Sequence, residues 1–208
     1  MLQTQTVEPG TLTLLEKLMD IPELRSFGLV GGTALSLKFG HRISIDLDLF
    51  SHTDFNNLEI IESLKNQFGD DFEVEQKPPQ FGIFCFIEGV KVDIIRYPHP
   101  LIRPLETIAG IRMYSNEDII AMKVQAILGR AKKKDFWDVA ELLKHYKVKD
   151  FIDFHQKKFS TQNSLISVPQ AISYFSDAEE SEDPVSLKGQ TWPKTQKFIQ
   201  KKVAEYLR

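Results

Sequence analysis

The stretch that most constrains this chain runs from Gly31 to Ser51 and reads GGTALSLKFGHRISIDLDLFS. A Gly-Gly-Thr turn opens it, a helix-forming segment carries on to Phe39, and Gly40 supplies a stop signal. From Ile45 the residues alternate with the period of a strand, so Ile45, Leu47 and Leu49 share one face and Asp46, Asp48 and Phe50 the other. Two carboxylates on one strand face repel each other, and folding gains nothing from that pairing. A divalent cation removes the conflict. Asp46 and Asp48 are therefore read as a metal platform, against the bland alternative of two solvated aspartates on an edge strand.

The flanking sequence supplies the support. Phe27 to Val30 is a short apolar run ending at the glycines, the pattern of a buried first strand, and residues 11 to 27 before it have helical apolar spacing. After the aspartates, Asp54 or Thr53 is placed to cap a helix lasting to about Phe68, supported by Leu58, Ile61 and Leu64. A strand over 72–76 is broken by Pro78-Pro79, and a hairpin follows with arms Gly82 to Ile87 and Val90 to Tyr97 around a Glu88-Gly89 turn. In the second arm Val90, Val92 and Ile94 share a face and Asp93 lies on the other. The prolines of PHPLIRP, residues 98–104, exclude regular structure and mark a boundary between a core over 1–105 and a unit over 106–208. Beyond it one short strand is expected at Gly110 to Tyr114, then helices over 116–130, 135–146, 149–158, 168–175 and 193–207. The acidic loop SDAEESEDP separates the last two and is expected to be exposed. The fold class is thus α/β (α+β): a small mixed sheet flanked by helices, followed by a helical C-terminal domain.

A formal net charge of −3 means that any nucleic-acid contact must come from a local patch, not the bulk field. One cysteine, Cys85, excludes an internal disulfide and a cysteine-based zinc cluster. Its place between Phe84 and Phe86 reads as buried packing. The first ten residues lack a charged segment followed by an apolar run, and no stretch approaches the ~18 apolar residues of a membrane span, so a soluble cytoplasmic protein is expected.

Several other residues are suited to phosphate chemistry. Gly31 and Gly32 allow backbone N–H groups to approach a phosphate, Thr33 opens a helix N-terminus, and Ser44 stands just ahead of the aspartates. Arg42 is suited to pair with a carboxylate or a phosphate, while His41 is given no catalytic role. Lys123 and Arg130 are seven apart and share a face of a continuous helix. Phe136, Val139, Ala140 and Leu143 form a core stripe on the next helix, with Asp138 turned to another face. Asp135, three residues before Asp138, also fits a capping box at a helix start. The basic run Arg130, Lys132, Lys133, Lys134 suits an RNA backbone, a triphosphate or merely solvent. Trp137 and Trp192 are read as core.

Taken together, Gly-Gly-Thr, His-Arg-x-Ser-x-Asp-x-Asp and the downstream Lys…Arg…Lys-Asp-x-x-Asp resemble the minimal nucleotidyltransferase core, and more closely the AbiEii/AbiGii-type nucleotidyltransferase toxins, over most of residues 28–143. The resemblance implies Mg²⁺- or Mn²⁺-dependent transfer of a nucleoside monophosphate from an NTP to a hydroxyl acceptor. It implies Asp46, Asp48 and Asp93 as metal-holding carboxylates, and Gly31, Gly32, Thr33, Ser44, Arg130, Asp135 and Asp138 as nucleotide-site residues. Lys123 is implied as a phosphate-contacting catalytic residue, RNA (a tRNA 3′ end) as acceptor, and a cognate antitoxin as partner. Two alternatives stay open: adenylylation of a protein or small molecule, and a non-catalytic nucleotide-binding module.

Overall fold

The computed structural model describes residues 1–74, 80–161 and 165–208. Its centre is a seven-stranded mixed sheet. The strands are β1 (Gly28–Leu29), β2 (Leu47–Ser51), β3 (Phe72–Val74), β4 (Gly82–Ile87), β5 (Val90–Arg96), β6 (Glu106–Ile108) and β7 (Ile111–Met113), in the order β3-β4-β5-β2-β1-β7-β6. β2 runs parallel to β5 and antiparallel to β1, and β1 runs parallel to β7. The helices are α1 (Pro9–Asp20), α2 (Gly31–Phe39), α3 (Asn57–Phe68), α4 (Asn116–Gly129), α5 (Lys133–Leu142), α6 (Val148–Lys158), α7 (Val168–Ser173) and α8 (Trp192–Tyr206).

Alternation on β2 and β5 sends Leu47, Leu49, Val92 and Ile94 into the core, where none is exposed. The polar face of the same strands is thereby turned to the other side of the sheet. Gly40 ends α2 in the left-handed conformation (φ 66°) that glycine adopts without steric cost. The β4–β5 turn places Glu88 and Gly89 at φ 52° and 76°, the geometry of a tight hairpin.

Some expectations change. The strand begins at Leu47 and not Ile45, and Ile45 is 64% exposed, so the Asp46 side chain lies ahead of the strand. α1 starts at Pro9 without a side-chain cap, and a 3₁₀ turn over Pro22–Leu24 follows it. α3 is capped by Asn56, which accepts from the Leu58 N–H, in place of Thr53 or Asp54; Leu58 is exposed while Ile60, Leu64 and Phe68 are buried. β3 ends at Val74, and Pro78-Pro79 lie outside the described residues. β6 was not foreseen, because a three-residue strand carries too few residues to show a period.

The boundary expected after residue 105 falls inside this sheet, since β7 pairs with β1. The proline segment is also pinned: the Asp118 carboxylate accepts from the Ile102 and Arg103 N–H groups and from Lys158 Nζ at 2.6 Å. The acidic loop is engaged as well. Glu179 accepts from Trp192 Nε1 at 3.0 Å, and Asp183 pairs with Lys133 at 2.9 Å. Just after it the chain returns to the segment before β2, where Ile43 N–H donates to Val185 O and Leu187 N–H to His41 O. Trp137 and Trp192 are buried and stack with centroids 5.9 Å apart. Burial pushes the Cys85 thiol up to about 12, so it is inert as a nucleophile.

Candidate active site

Asp48 on β2 stands directly opposite Asp93 on β5. Side chains at matched positions of adjacent strands share a sheet face. Asp48 and Phe50 therefore lie beside Asp93, Ile95 and Tyr97, and together they floor a cleft of about 400 Å³. α4 roofs it with Met122, Lys123 and Ala126, and Arg130 joins them just past the helix end at Gly129. The cleft is acidic at the Asp48–Asp93 end and aromatic at the other, where the Phe50 and Tyr97 rings are 5.3 Å apart.

The two carboxylates at the acidic end share one ion-paired cation, Lys91, which is bound to Asp93. Burial, then the neighbouring Asp93, raises the Asp48 carboxyl above the ordinary aspartate range. Asp93 Oδ2 accepts from Lys91 Nζ at 2.5 Å, but its Oδ1 is buried with no hydrogen-bond partner. Among the described residues no three His, Cys, Asp or Glu side chains converge into a ready metal cage. Asp46, half-exposed, is drawn 3.7 Å from Lys134 Nζ and does not line the cleft. The donor set nonetheless fits a hard divalent cation: two oxygen ligands on adjacent strands, one of them an unsatisfied buried atom.

The glycines serve the neighbouring side chains. A Cβ on Gly31, whose φ is +71°, would meet Asp48 Oδ2 at 2.6 Å, and one on Gly32 would meet Arg42 Nη2 at 2.0 Å. Only glycine lets these charged groups come so close to the start of α2. Thr33 is buried; its hydroxyl bonds the Asp46 carbonyl and lies 2.9 Å from Ser44 Oγ. It thereby fixes the backbone that presents the aspartates. Thr33 has no hydroxyl proton to spare for a phosphate, a correction of its expected role.

Behind Lys123 lies a second acidic group in the opposite electrostatic condition. Asp138 is wholly buried and receives Arg42 Nε at 2.7 Å, Arg42 Nη2 at 2.9 Å, His41 Nε2 at 2.7 Å and Lys123 Nζ at 2.6 Å. Burial alone would raise its pKa, but Arg42 and Lys123 outweigh that and hold the carboxyl well below its usual range. Asp135, also wholly buried, accepts from Lys123 Nζ at 3.0 Å and caps no helix. Having no accessible surface, Asp135 and Asp138 reach a nucleotide only through the cations paired with them, Lys123 and, for Asp135, Arg130. This corrects the expected direct contact.

Gly31, Asp48, Asp93, Lys123 and Arg130 are thus brought to one cleft, while Gly32, Thr33, Ser44, Asp46, Asp135 and Asp138 stand around or behind it. Arg42 and His41 matter more than the sequence reading allowed, because their partner is almost a hundred residues away. Phe50, read on the face of Asp48, and Ile95 and Tyr97 carry no site role in the sequence reading, although period-two continuation from Asp48 and Asp93 points to them. Of the basic run, Arg130 lies 3.5 Å from Asp135, Lys133 pairs with Asp183 and Lys134 faces Asp46.

The sequence model of the nucleotidyl transferase AbiEii toxin family, described as a type IV toxin–antitoxin system, matches residues 13–197. An uncharacterized protein of Aquifex aeolicus is 31% identical over 201 residues, 93% of this chain and 94% of that protein. MenT4, a nucleotidyltransferase toxin of Mycobacterium tuberculosis, matches in structure with TM-score 0.60 at 15% identity, over 92% of this chain and 82% of that one. JHP933 of Helicobacter pylori does so with TM-score 0.55 at 18% identity, over 96% and 92%. At such identities the structural likeness concerns the fold.

Proposed function

Because this chain belongs to the AbiEii nucleotidyl transferase toxin family, and is a nucleotidyltransferase, we propose that it moves a nucleoside monophosphate from an NTP to a hydroxyl of RNA, a tRNA 3′ end, in the cleft beneath α4. The carrying observation is the Asp48–Asp93 pair, side by side in register at the mouth of a cleft whose roof bears Lys123. Two carboxylates side by side with one paired lysine between them are a liability for folding and an asset for holding Mg²⁺ or Mn²⁺. A cation bound there would make the acceptor hydroxyl more acidic and offset charge developing on the leaving pyrophosphate.

The chain's own residues do the rest. Lys123 has three N–H donors, of which two go to Asp135 and Asp138, and the third is directed to a phosphate oxygen. Arg130, at the far end of the roof, takes the outer phosphates. Phe50, Ile95 and Tyr97 give the base an apolar resting surface. The acceptor O–H bond breaks with its proton passing to Asp93 Oδ2 once Lys91 has turned from it to phosphate, the acceptor O–Pα bond forms, and the Pα–O bond to pyrophosphate breaks. Asp46 joins the carboxylate set when Lys134 turns to phosphate. Gly31 and Gly32, Thr33 and Ser44 hold Asp48 and Arg42 in place, and Asp135 and Asp138 keep Lys123 charged and aimed.

The two units are best divided after β7, at about residue 115, with the cleft between them. No helix among the described residues is long and apolar enough to cross a membrane. The family supports a toxin restrained by a cognate antitoxin. The test is incubation of the protein with each labelled NTP, Mg²⁺ and total RNA. Label is expected in RNA; label appearing in protein or a small molecule instead would replace the acceptor in this reading, and no label anywhere would overturn it.

A further inference from the structure

The α4 cleft is lined by two kinds of polar side chain. Among the described residues Asp48, Asp93, Lys123 and Arg130 are its charged ones, and the function proposed above gives them to the cation and the phosphates. The uncharged polar side chains of the lining are Tyr97 and Gln125. The uncharged polar part of an NTP is its base. Gln125 stands on one stripe of α4 with Met122 and Gly129, at i+3 between i and i+7. One turn before it, Ala121 is buried with Ile102 and Phe159, and Tyr97 packs against that cluster. This edge of α4 therefore lies at the aromatic end of the cleft. From Tyr97 a chain of rings runs through His99 at 4.7 Å and Phe159 at a further 4.7 Å to His155, another 5.0 Å on. There His155 Nε2 is 3.1 Å from Gln125 Oε1, which closes the chain back onto the cleft.

That bond fixes the amide. A carbonyl oxygen only accepts, so the imidazole Nε2 carries the hydrogen and donates it. Burial lowers the His155 pKa, which keeps the ring neutral with its single N–H committed to Gln125. Turning the amide over would set its own NH₂ against that N–H. No described residue accepts from the Gln125 amide nitrogen, which is left for a ligand in the cleft. The Tyr97 hydroxyl, by contrast, turns about its C–O bond and suits donor and acceptor alike. Bases differ in where their edges carry acceptor atoms and where they carry amino groups. A donor held in one orientation tells such edges apart, and a rotating hydroxyl does not.

We infer that Gln125 is the residue that discriminates between NTP bases. Its amide NH₂ donates to an acceptor atom on the edge of the base that rests on Phe50, Ile95 and Tyr97. His155 lies outside the cleft lining and is a positioning residue, holding the amide with its nitrogen free. This role rests on reading the α4 cleft as the NTP site. A base that turns an acceptor to Gln125 gains a hydrogen bond. A base that turns an amino group there sets donor against donor and leaves both unpaired, which costs more than a contact merely absent.

The experiment measures the dissociation constants of ATP, GTP, CTP and UTP, and of inorganic tripolyphosphate, at fixed Mg²⁺. The full chain is used as wild type, Gln125→Met and His155→Phe. Wild type is expected to bind its best NTP about tenfold more tightly than its worst, the scale of one hydrogen bond made or mismatched. Gln125→Met keeps the side-chain length without the amide and should bring the four NTPs to within roughly twofold of one another. His155→Phe keeps the ring packing, frees the amide to turn over, and should narrow the wild-type range. Tripolyphosphate, which has no base, should bind all three proteins equally. Equal affinity of wild type for the four NTPs, or an unchanged range in Gln125→Met, overturns the inference while leaving the cleft reading standing. An unchanged range in His155→Phe overturns the positioning role. Failure of wild type to bind any NTP would refute the cleft reading itself.

Discussion

Two pairs of aspartates meet around Lys123, and they live under opposite electrostatic conditions. Asp138 is wholly buried yet receives Lys123, Arg42 and His41. Asp135, also wholly buried, accepts from Lys123, with its Oδ2 3.5 Å from Arg130 Nε and without a hydrogen bond; the cations hold both carboxyls below the ordinary aspartate range. Asp48 and Asp93 lie at the cleft, and the first is pushed towards its protonated form while the second keeps a buried oxygen without a partner. A protein that only needed to be stable would neutralise both. The contrast identifies the first pair as a clamp, with α5 holding α4 and the loop before β2 in fixed relation. The second, in the function proposed above, is the place left for a cation that the chain does not itself supply.

The contrast breaks most visibly at Asp138. Asp138→Ala strands Arg42, Lys123 and His41 in the interior without their shared acceptor, and breaking a buried ion pair from one side costs about 3–5 kcal/mol. Denaturant unfolding should show a loss of that size; a change under 1 kcal/mol would mean that the clamp is not one. Lys123→Met should cost a comparable amount, about 3 kcal/mol, because Asp138 keeps Arg42 and His41 but the buried Asp135 loses its one hydrogen-bond donor. The same variant should weaken NTP binding in a titration at fixed Mg²⁺, whereas unaltered NTP affinity would confine Lys123 to the clamp.

The pH dependence of stability sharpens the same comparison. Asp138 has a folded-state pKa depressed below the unfolded value of about 3.9. Its contribution is therefore fully present above pH ~4 and is lost as pH falls below that towards the folded pKa. Thermal unfolding followed from pH 6 to pH 2 should give a steeper acid decline for wild type than for Asp138→Ala. Parallel curves would contradict the assignment. The smallest stability effect belongs to the other pair: Asp48→Asn removes a like-charge conflict and should leave stability unchanged or raised by up to about 1 kcal/mol, while nucleotide transfer falls by at least roughly a hundredfold.

What the sequence made legible divides along the same line. Within one element, periodicity sufficed: α2 with its Gly40 stop, the β4–β5 hairpin, and Asp48 and Asp93 on the faces opposite Leu47 and Val92 were all readable from neighbours two to four residues apart. The clamp was not, because Arg42 and Asp138 are 96 residues apart and nothing local marks them as partners. Local patterning also misjudged Ile45, whose alternation with Leu47 continues one step beyond the backbone pairing that makes a strand. Lys123 was noticed for its charge, but its position between two buried carboxylates emerges only when α4 packs on α5.

The most direct measurement is thermal unfolding of wild type, Asp48→Asn and Asp138→Asn with and without Mn²⁺. A ligand that binds only the folded state raises its stability in proportion to the logarithm of ligand concentration over Kd. Mn²⁺ is expected to raise the melting temperature of wild type and of whatever Asp138→Asn remains folded, and to leave Asp48→Asn unmoved. An equal Mn²⁺ shift in wild type and Asp48→Asn would contradict the account, because the cation would then be bound somewhere other than the carboxylate pair left open for it.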